Sequence, residues 1–254
     1  MLKFLDTWRR KRALRRSTLD PALWRRVTGA LPFLQGLTAA QWQRLHDCAV
    51  LFLAEKEMHG ARGFVPTDAV RLSIAVQACL PILSLGLDAY RGWVGIVIYP
   101  GEFKVRREEM DESGVVHEYD DELSGEAWPG GPVILSWEDI KLGEPGYNVV
   151  IHEFAHKLHM CGGDMDDFPP PRAHMQRKPW LAAWDAAYTE FCNQVDRGMD
   201  TVIDAYASEQ PAEFFAVLSE AFFTSPRQVR SIYPDLYAQL ALFYEQDPAA
   251  RLPA

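Results

Sequence analysis

Apolar residues recur three and four positions apart over most of the chain, which predicts helices on both sides of one strand-rich segment. Two helices fit between Asp20 and Gly60. The second has Thr38 as N-cap and Trp42, Leu45, Ala49, Val50 and Leu53 on one stripe reaching about Met58. Pro66-Thr67-Asp68 opens a third, Ala69 to Ser84, with Leu72, Ile74, Ala75, Val76 and Cys79 on its buried side. At Gly92 the period changes. Val94 to Tyr99 reads as a strand closed by Pro100-Gly101, and Phe103 to Val105, Val115 to Tyr119 and Pro132 to Trp137 as shorter strands between turns. They predict a small, mostly antiparallel sheet. Helical spacing returns over Asn148 to Met160, Pro179 to Val195, Glu209 to Phe223 and Pro234 to Glu245, with a proline-rich loop at Asp164 to Pro171. The fold class expected is α+β and mostly helical. A single domain over 20–254 would contain a helical layer (about 20–90), the sheet (about 93–137) and a second helical set (about 148–247), after a basic, flexible arm at 1–19.

Composition adds exclusions. With 254 residues, 48% hydrophobic and 24% charged, the chain is long enough for a real core and ordinary for a soluble protein. A net charge of −9 argues against general nucleic-acid binding by the body of the protein. The run Trp8-Arg-Arg-Lys-Arg-Ala-Leu-Arg-Arg16 is out of character with that acidity and reads as a solvated arm; Asp6 counts against a transit peptide. Cys48, Cys79, Cys161 and Cys192 form no C-x-x-C pair, which favours reduced thiols. The most apolar run, Ile74 to Leu87, is interrupted by Gln77, Pro81 and Ser84, so no membrane span is expected. A cytoplasmic protein is the expectation.

The chemistry is concentrated in Asn148-Val-Val-Ile-His152-Glu153-Phe-Ala-His156-Lys-Leu-His159-Met160, an H-E-x-x-H motif on a predicted helix. Asn148 is its expected N-cap, and Gly162-Gly163 its expected stop. Residues four apart share a helix face, so His152 and His156 can bind one Zn²⁺ with Glu153 beside them. A catalytic zinc takes three protein ligands and keeps one position open. His159 is excluded as the third, because seven residues of helix put it about 10 Å along the axis from His152. Glu190, Glu209, Glu213 and Glu220 are the candidates. Glu213 lies in a run that must be buried, where a cation would compensate its charge. Glu209 fits a first-turn, dipole-stabilising position, and Glu220, on nearly the same face as Glu213, could hydrogen-bond a ligand histidine.

His152-Glu153-Phe-Ala-His156-Lys-Leu, Asp204-Ala-Tyr206-Ala-Ser and Pro211-Ala-Glu213-Phe-Phe-Ala-Val-Leu-Ser-Glu220 together resemble the Mlc titration factor A family of bacterial zinc peptidases. Cys79-Leu-Pro-Ile-Leu-Ser-Leu-Gly-Leu, Ile98-Tyr-Pro100, Gly131-Pro-Val-Ile-Leu-Ser-Trp137 and Asp235-Leu-Tyr to Pro248 extend the likeness over about residues 20–250. The C-terminal half is also similar to the protease domain of lethal-factor-type toxins. The resemblance implies a zincin-like, glutamate-ligated (gluzincin) metallopeptidase. It implies Glu213 as the third zinc ligand, Glu153 as general base and Tyr206, seven residues before Glu213, as the active-site tyrosine. Gly114-Val-Val-His117 matches a family segment whose histidine can fill the fourth zinc position, which would make His117 a displaceable, autoinhibitory ligand. The departures are His159, where relatives commonly carry an acidic residue, and the basic arm.

The expected function is hydrolysis of peptide bonds, aminopeptidase-like on short peptides. The resemblance adds regulation by binding a glucose-responsive transcriptional repressor. The competing reading is a non-catalytic protein that sequesters a transcription factor while its zinc site stays latent. Direct nucleic-acid binding by the arm is the weakest of the readings.

Overall fold

Side-chain caps set where several of the helices begin. The computed structural model describes residues 2–110, 116–142, 146–160 and 168–252, with the backbone alone described at 2–7, 105–110, 116–122 and 142. Helix α1 spans Leu2–Arg16 and α2 spans Pro21–Gly29. Helix α3, Ala39–Glu55, starts in a reciprocal cap: the Gln41 N–H donates to Thr38 Oγ1 and the Thr38 N–H to Gln41 Oε1. Thr67 caps α4, Asp68–Cys79, in one direction only, its Oγ1 accepting the Val70 N–H. The stretch expected to be a flexible arm lies largely in α1, whose Arg10 pairs with Glu55 of α3 and with Asp88 at 2.7 Å each.

Two helices are shorter than their periodicity predicts. α3 stops at Glu55 because Lys56 turns extended, and its ammonium donates to the carbonyls of Tyr90 and Trp93 at 2.7 and 2.6 Å. The chain then enters strand β1, Glu57–Gly60, where the sequence pattern still reads as helix. α4 stops at Cys79 because Pro81 has no N–H to continue the ladder.

The sheet corrects the antiparallel expectation. Strands β2 (Gly95–Tyr99), β3 (Phe103–Met110), β4 (Val116–Leu123), β5 (Gly125–Ala127) and β6 (Val133–Ser136) follow. The four-stranded sheet has the order β1-β2-β6-β5; β1, β2 and β6 run parallel and only β5 runs antiparallel to β6. The cause is topological. α4 carries the chain across between β1 and β2, and the β3–β4 ribbon, a separate antiparallel pair, intervenes between β2 and β6. Alternation of apolar residues reports a strand's faces and says nothing of its partner's direction.

Helix α5 (Trp137–Leu142) leads from β6 toward α6 (Val149–Met160), the centre of the molecule. Phe154 of α6 is fully buried among Phe52, Tyr90 and Trp93, ring centroids 5.1–5.6 Å away. Beyond α7 (Arg177–Asp196), α8 (Pro211–Thr224) packs along α6 and is buried on all sides from Glu213 to Phe223. Phe214, Phe215, Phe222 and Phe223 each have no exposed surface, worth roughly 1.5–3 kcal/mol apiece, so α8 is held by packing from every direction. Helices α9 (Pro226–Ile232), α10 (Pro234–Tyr244) and α11 (Pro248–Arg251) close the fold, with Phe243 of α10 stacked on Trp180 of α7. Among the described residues no helix is long and apolar enough to cross a membrane. The expected glycine stop of α6 and Cys161 lie outside the described residues.

Candidate metal centre

Helix α6 begins at Asn148, whose Oδ1 accepts the Ile151 N–H at 2.9 Å. One and two turns on, His152 and His156 stand one above the other, ring centroids 4.8 Å apart. The facing helix α8 brings Glu213 up to both. Its Oε2 lies 3.1 Å from His152 Nε2 and 3.3 Å from His156 Nε2, and the two Nε2 atoms are 3.1 Å apart. These three side chains are the one group of possible metal ligands found among the described residues, their ligand atoms all within 4.8 Å of one another.

The protons on the donor set decide whether it can hold a cation. Glu220, seven residues after Glu213 on α8, accepts a hydrogen bond from His152 Nδ1 at 2.7 Å through Oε1. A carboxylate accepts and does not donate, so His152 Nδ1 carries the proton. In neutral His152 the Nε2 lone pair then points at the Glu213 carboxylate and at His156. Three lone-pair atoms converging in a buried space require positive charge between them, supplied either by a further proton on His152 or by a metal ion. Without a metal, burial opposes charge on His152, but hydrogen bonds to Glu213 and Glu220 outweigh it and hold its pKa well above that of free imidazole. His156 goes the other way, mainly through burial, and keeps a free lone pair. Burial works against ionisation of Glu213 too, yet the two histidines hold its carboxyl well below the usual range. Two imidazoles and a carboxylate, with Glu220 fixing one ring, are a donor set suited to Zn²⁺.

Glu153 sits beside this group and is only 4% exposed. Burial is the main reason its pKa is pushed up to about 8; Glu213, Glu220 and Glu126 add to the shift and His152 opposes it. Its Oε2 is buried with no hydrogen-bonding partner. Strand β5 forms its wall: a Cβ at Gly125 would fall 2.3 Å from Glu153 Oε1. Lys157, the next residue after His156, is buried and donates to the carbonyls of Trp128 and Gly131, clamping the β5–β6 turn to α6.

The remaining predicted residues are placed as follows. Tyr206 lies on the 3-10 turn Ala205–Ser208 that leads into α8, 43% exposed, with Asp204 Oδ1 accepting its N–H and the Tyr188 hydroxyl donating to Ser208 O. His159 is turned edge-on to Phe215, 6.2 Å between centroids, and is not in the converging group. His117 stands on β4 opposite Glu109 of β3, and its side chain lies outside the described residues. Two further residues carry no role in the sequence reading: Gly125 belongs to no motif, Lys157 stands inside the H-E-F-A-H-K-L segment without an assigned task, and each acts through a contact that only the folded chain creates.

An H-E-x-x-H helix whose histidines meet a glutamate from a later helix defines the metallopeptidase class. The chain belongs to the family of glucose-regulated metallo-peptidases M90, whose model matches residues 5–245 and so takes in part of the basic stretch. A protein named Mlc titration factor A from Cronobacter sakazakii is 38% identical over 240 residues, covering 93% of this chain and 90% of its own. The protein of that name from Salmonella typhimurium is 38% identical over 234 residues (88% and 86%). An uncharacterized protein of Synechocystis is 36% identical over 247 residues (95% and 89%).

Proposed function

We propose that this chain is a cytoplasmic zinc peptidase that hydrolyses peptide bonds, aminopeptidase-like on short peptides, and that it also binds a glucose-responsive transcriptional repressor. One observation carries the catalytic part: His152 Nε2, His156 Nε2 and Glu213 Oε2 converge beside a buried, partnerless Glu153 oxygen. The relatives' name, titration factor, supports the regulatory part.

When bound, zinc supplies the Lewis acidity that polarises a carbonyl and acidifies a water. His152, His156 and Glu213 would hold it, and Glu220 keeps His152 in the tautomer whose Nε2 is free. Glu153 accepts the proton of the attacking water as its oxygen bonds to the scissile carbonyl carbon. When the C–N bond breaks, Glu153 returns that proton to the leaving amine. With no metal bound, burial raises the Glu153 carboxyl to about 8, and a cation held by the neighbouring ligands would bring it back down toward the range in which the carboxylate accepts a proton. Tyr206 donates its phenol hydrogen to the developing oxyanion. Strand β5, at the outer end of the sheet and against Glu153, offers backbone groups to an extended peptide. His117 is assigned a displaceable fourth position that closes the site.

The test separates catalysis from sequestration. Purified protein should cleave short chromogenic peptides, lose that activity to a chelator and regain it with zinc. Capture of a repressor by the Glu153→Gln variant, without any peptide hydrolysis by the parent protein, would instead establish the latent-site reading. Gly125→Ala gives a sharper check. Its methyl group must displace the Glu153 carboxylate, so kcat should fall on the order of 10²-fold, as for a catalytic group misplaced by about 1 Å, with zinc content unchanged. Wild-type kcat in Gly125→Ala would show that β5 does not position Glu153.

A further inference from the structure

Helix α4 buries Gln77 to 2% exposure inside an otherwise apolar face, and an amide there costs free energy unless it is hydrogen-bonded. Both of its ends are used. Gln77 Nε2 donates to Ser73 Oγ at 3.2 Å, and Gln77 Oε1 accepts from Asn148 Nδ2 at 2.7 Å. Asn148, itself 8% exposed, does three things at once. Its Oδ1 caps α6, its Nδ2 reaches Gln77, and its backbone N–H donates to Glu220 Oε2. Glu220 is 2% exposed and passes the chain on through Oε1 to His152 Nδ1.

We propose that Gln77 and Asn148 are positioning residues for the metal centre, fixing the His152 ring through a buried hydrogen-bond chain that joins α4, α6 and α8. This rests on the zinc reading of the preceding section. The physical reason lies in the Glu220 carboxylate, which is held at both oxygens. It cannot turn toward His152 or away from it without losing the Asn148 N–H. Asn148 in turn cannot flip its amide, because Oδ1 faces the α6 N-terminus while Nδ2 faces Gln77. With Gln77 made apolar, the Asn148 Nδ2 is left buried without its acceptor, Asn148 rotates or shifts, and the constraint on Glu220 and His152 loosens. Gln77 lies on a different helix from every proposed ligand, so its influence on the metal would run through this hydrogen-bond chain.

The measurement is the zinc dissociation constant of metal-free protein, by competition with a chromophoric chelator, together with the visible spectrum of the Co²⁺-loaded form. Gln77→Met should weaken zinc binding by about 10-fold, the low end of the range for loss of a group supporting a ligand, because Gln77 acts on His152 only through Asn148 and Glu220, and should alter the cobalt bands. Val76→Ala, a core truncation on the same helix, is the control for destabilisation and should leave both unchanged. Ser73→Ala, which removes only the outer support of Gln77, should give a smaller loss of affinity and serves if Gln77→Met does not fold. Equal affinity in wild type, Gln77→Met and Ser73→Ala overturns the inference while leaving the zinc site intact. A loss as large in Val76→Ala also overturns it. Wild-type protein that binds no zinc defeats the zinc reading and the inference together.

Discussion

Replacing Glu153 by glutamine is expected to lower turnover of a short chromogenic peptide by about 10²–10⁴-fold, the usual worth of a general base, with zinc affinity little changed. The same variant should be more stable than the parent at high pH. In the metal-free fold the Glu153 carboxyl titrates at about 8 instead of 4.5, chiefly because it is buried. A carboxyl whose folded pKa is raised costs nothing below its unfolded value. The cost grows as pH rises between the two values and is complete above the folded one, at on the order of a few kcal/mol. Glutamine carries no such cost. Denaturant titrations of metal-free protein should therefore show Glu153→Gln more stable than the parent at pH 8.5, with the gap closing toward pH 4.5. Equal stability at both pH values would mean that Glu153 is not held in a desolvated site.

Glu213→Ala should abolish the zinc response. At free zinc 100 times its dissociation constant, the wild-type protein gains about 2.7 kcal/mol against unfolding. The variant loses the carboxylate whose Oε2 meets both histidines, and at the same zinc concentration it should gain almost nothing. It should also be less stable than wild type before zinc is added, because a half-buried His152 is left facing the space its ion-pair partner filled. Thermal unfolding with and without zinc reads both effects. A zinc-induced shift in Glu213→Ala equal to that of wild type would remove Glu213 from the ligand set.

The parts of the centre that were legible in the sequence are those written in helical period. Asn148 as a cap, His152 above His156, and Glu220 on nearly the same face as Glu213 are all statements about one helix at a time, whereas the choice of Glu213 among four glutamates rests on the family resemblance. The rise per residue excluded His159, and its ring packs on Phe215. What stayed hidden was written between elements. Parallel pairing of β1, β2 and β6 follows from the α4 crossover and the intervening ribbon, to which a strand's own alternation is blind. β1 was concealed because Lys56 leaves α3 for carbonyls of the segment that precedes β2, more than thirty residues ahead. β5, three residues long and without alternation, exists through its pairing with β6, and Gly125 matters only because Glu153 lies against it. Gln77 was visible merely as a polar break in an apolar run; its partner is on another helix.

In the proposed reaction one metal ion, held by His152, His156 and Glu213, makes Glu153 an effective base for peptide hydrolysis. The most direct test is to strip the protein with a chelator and add zinc back in steps while following cleavage of a chromogenic peptide in wild type and Glu153→Gln. Wild-type activity should rise linearly to a break at one equivalent of zinc, and Glu153→Gln should bind the same equivalent while its turnover stays about 10²–10⁴-fold lower. Hydrolysis that survives metal removal, or a Glu153→Gln titration superimposed on that of wild type, would contradict the proposed reaction.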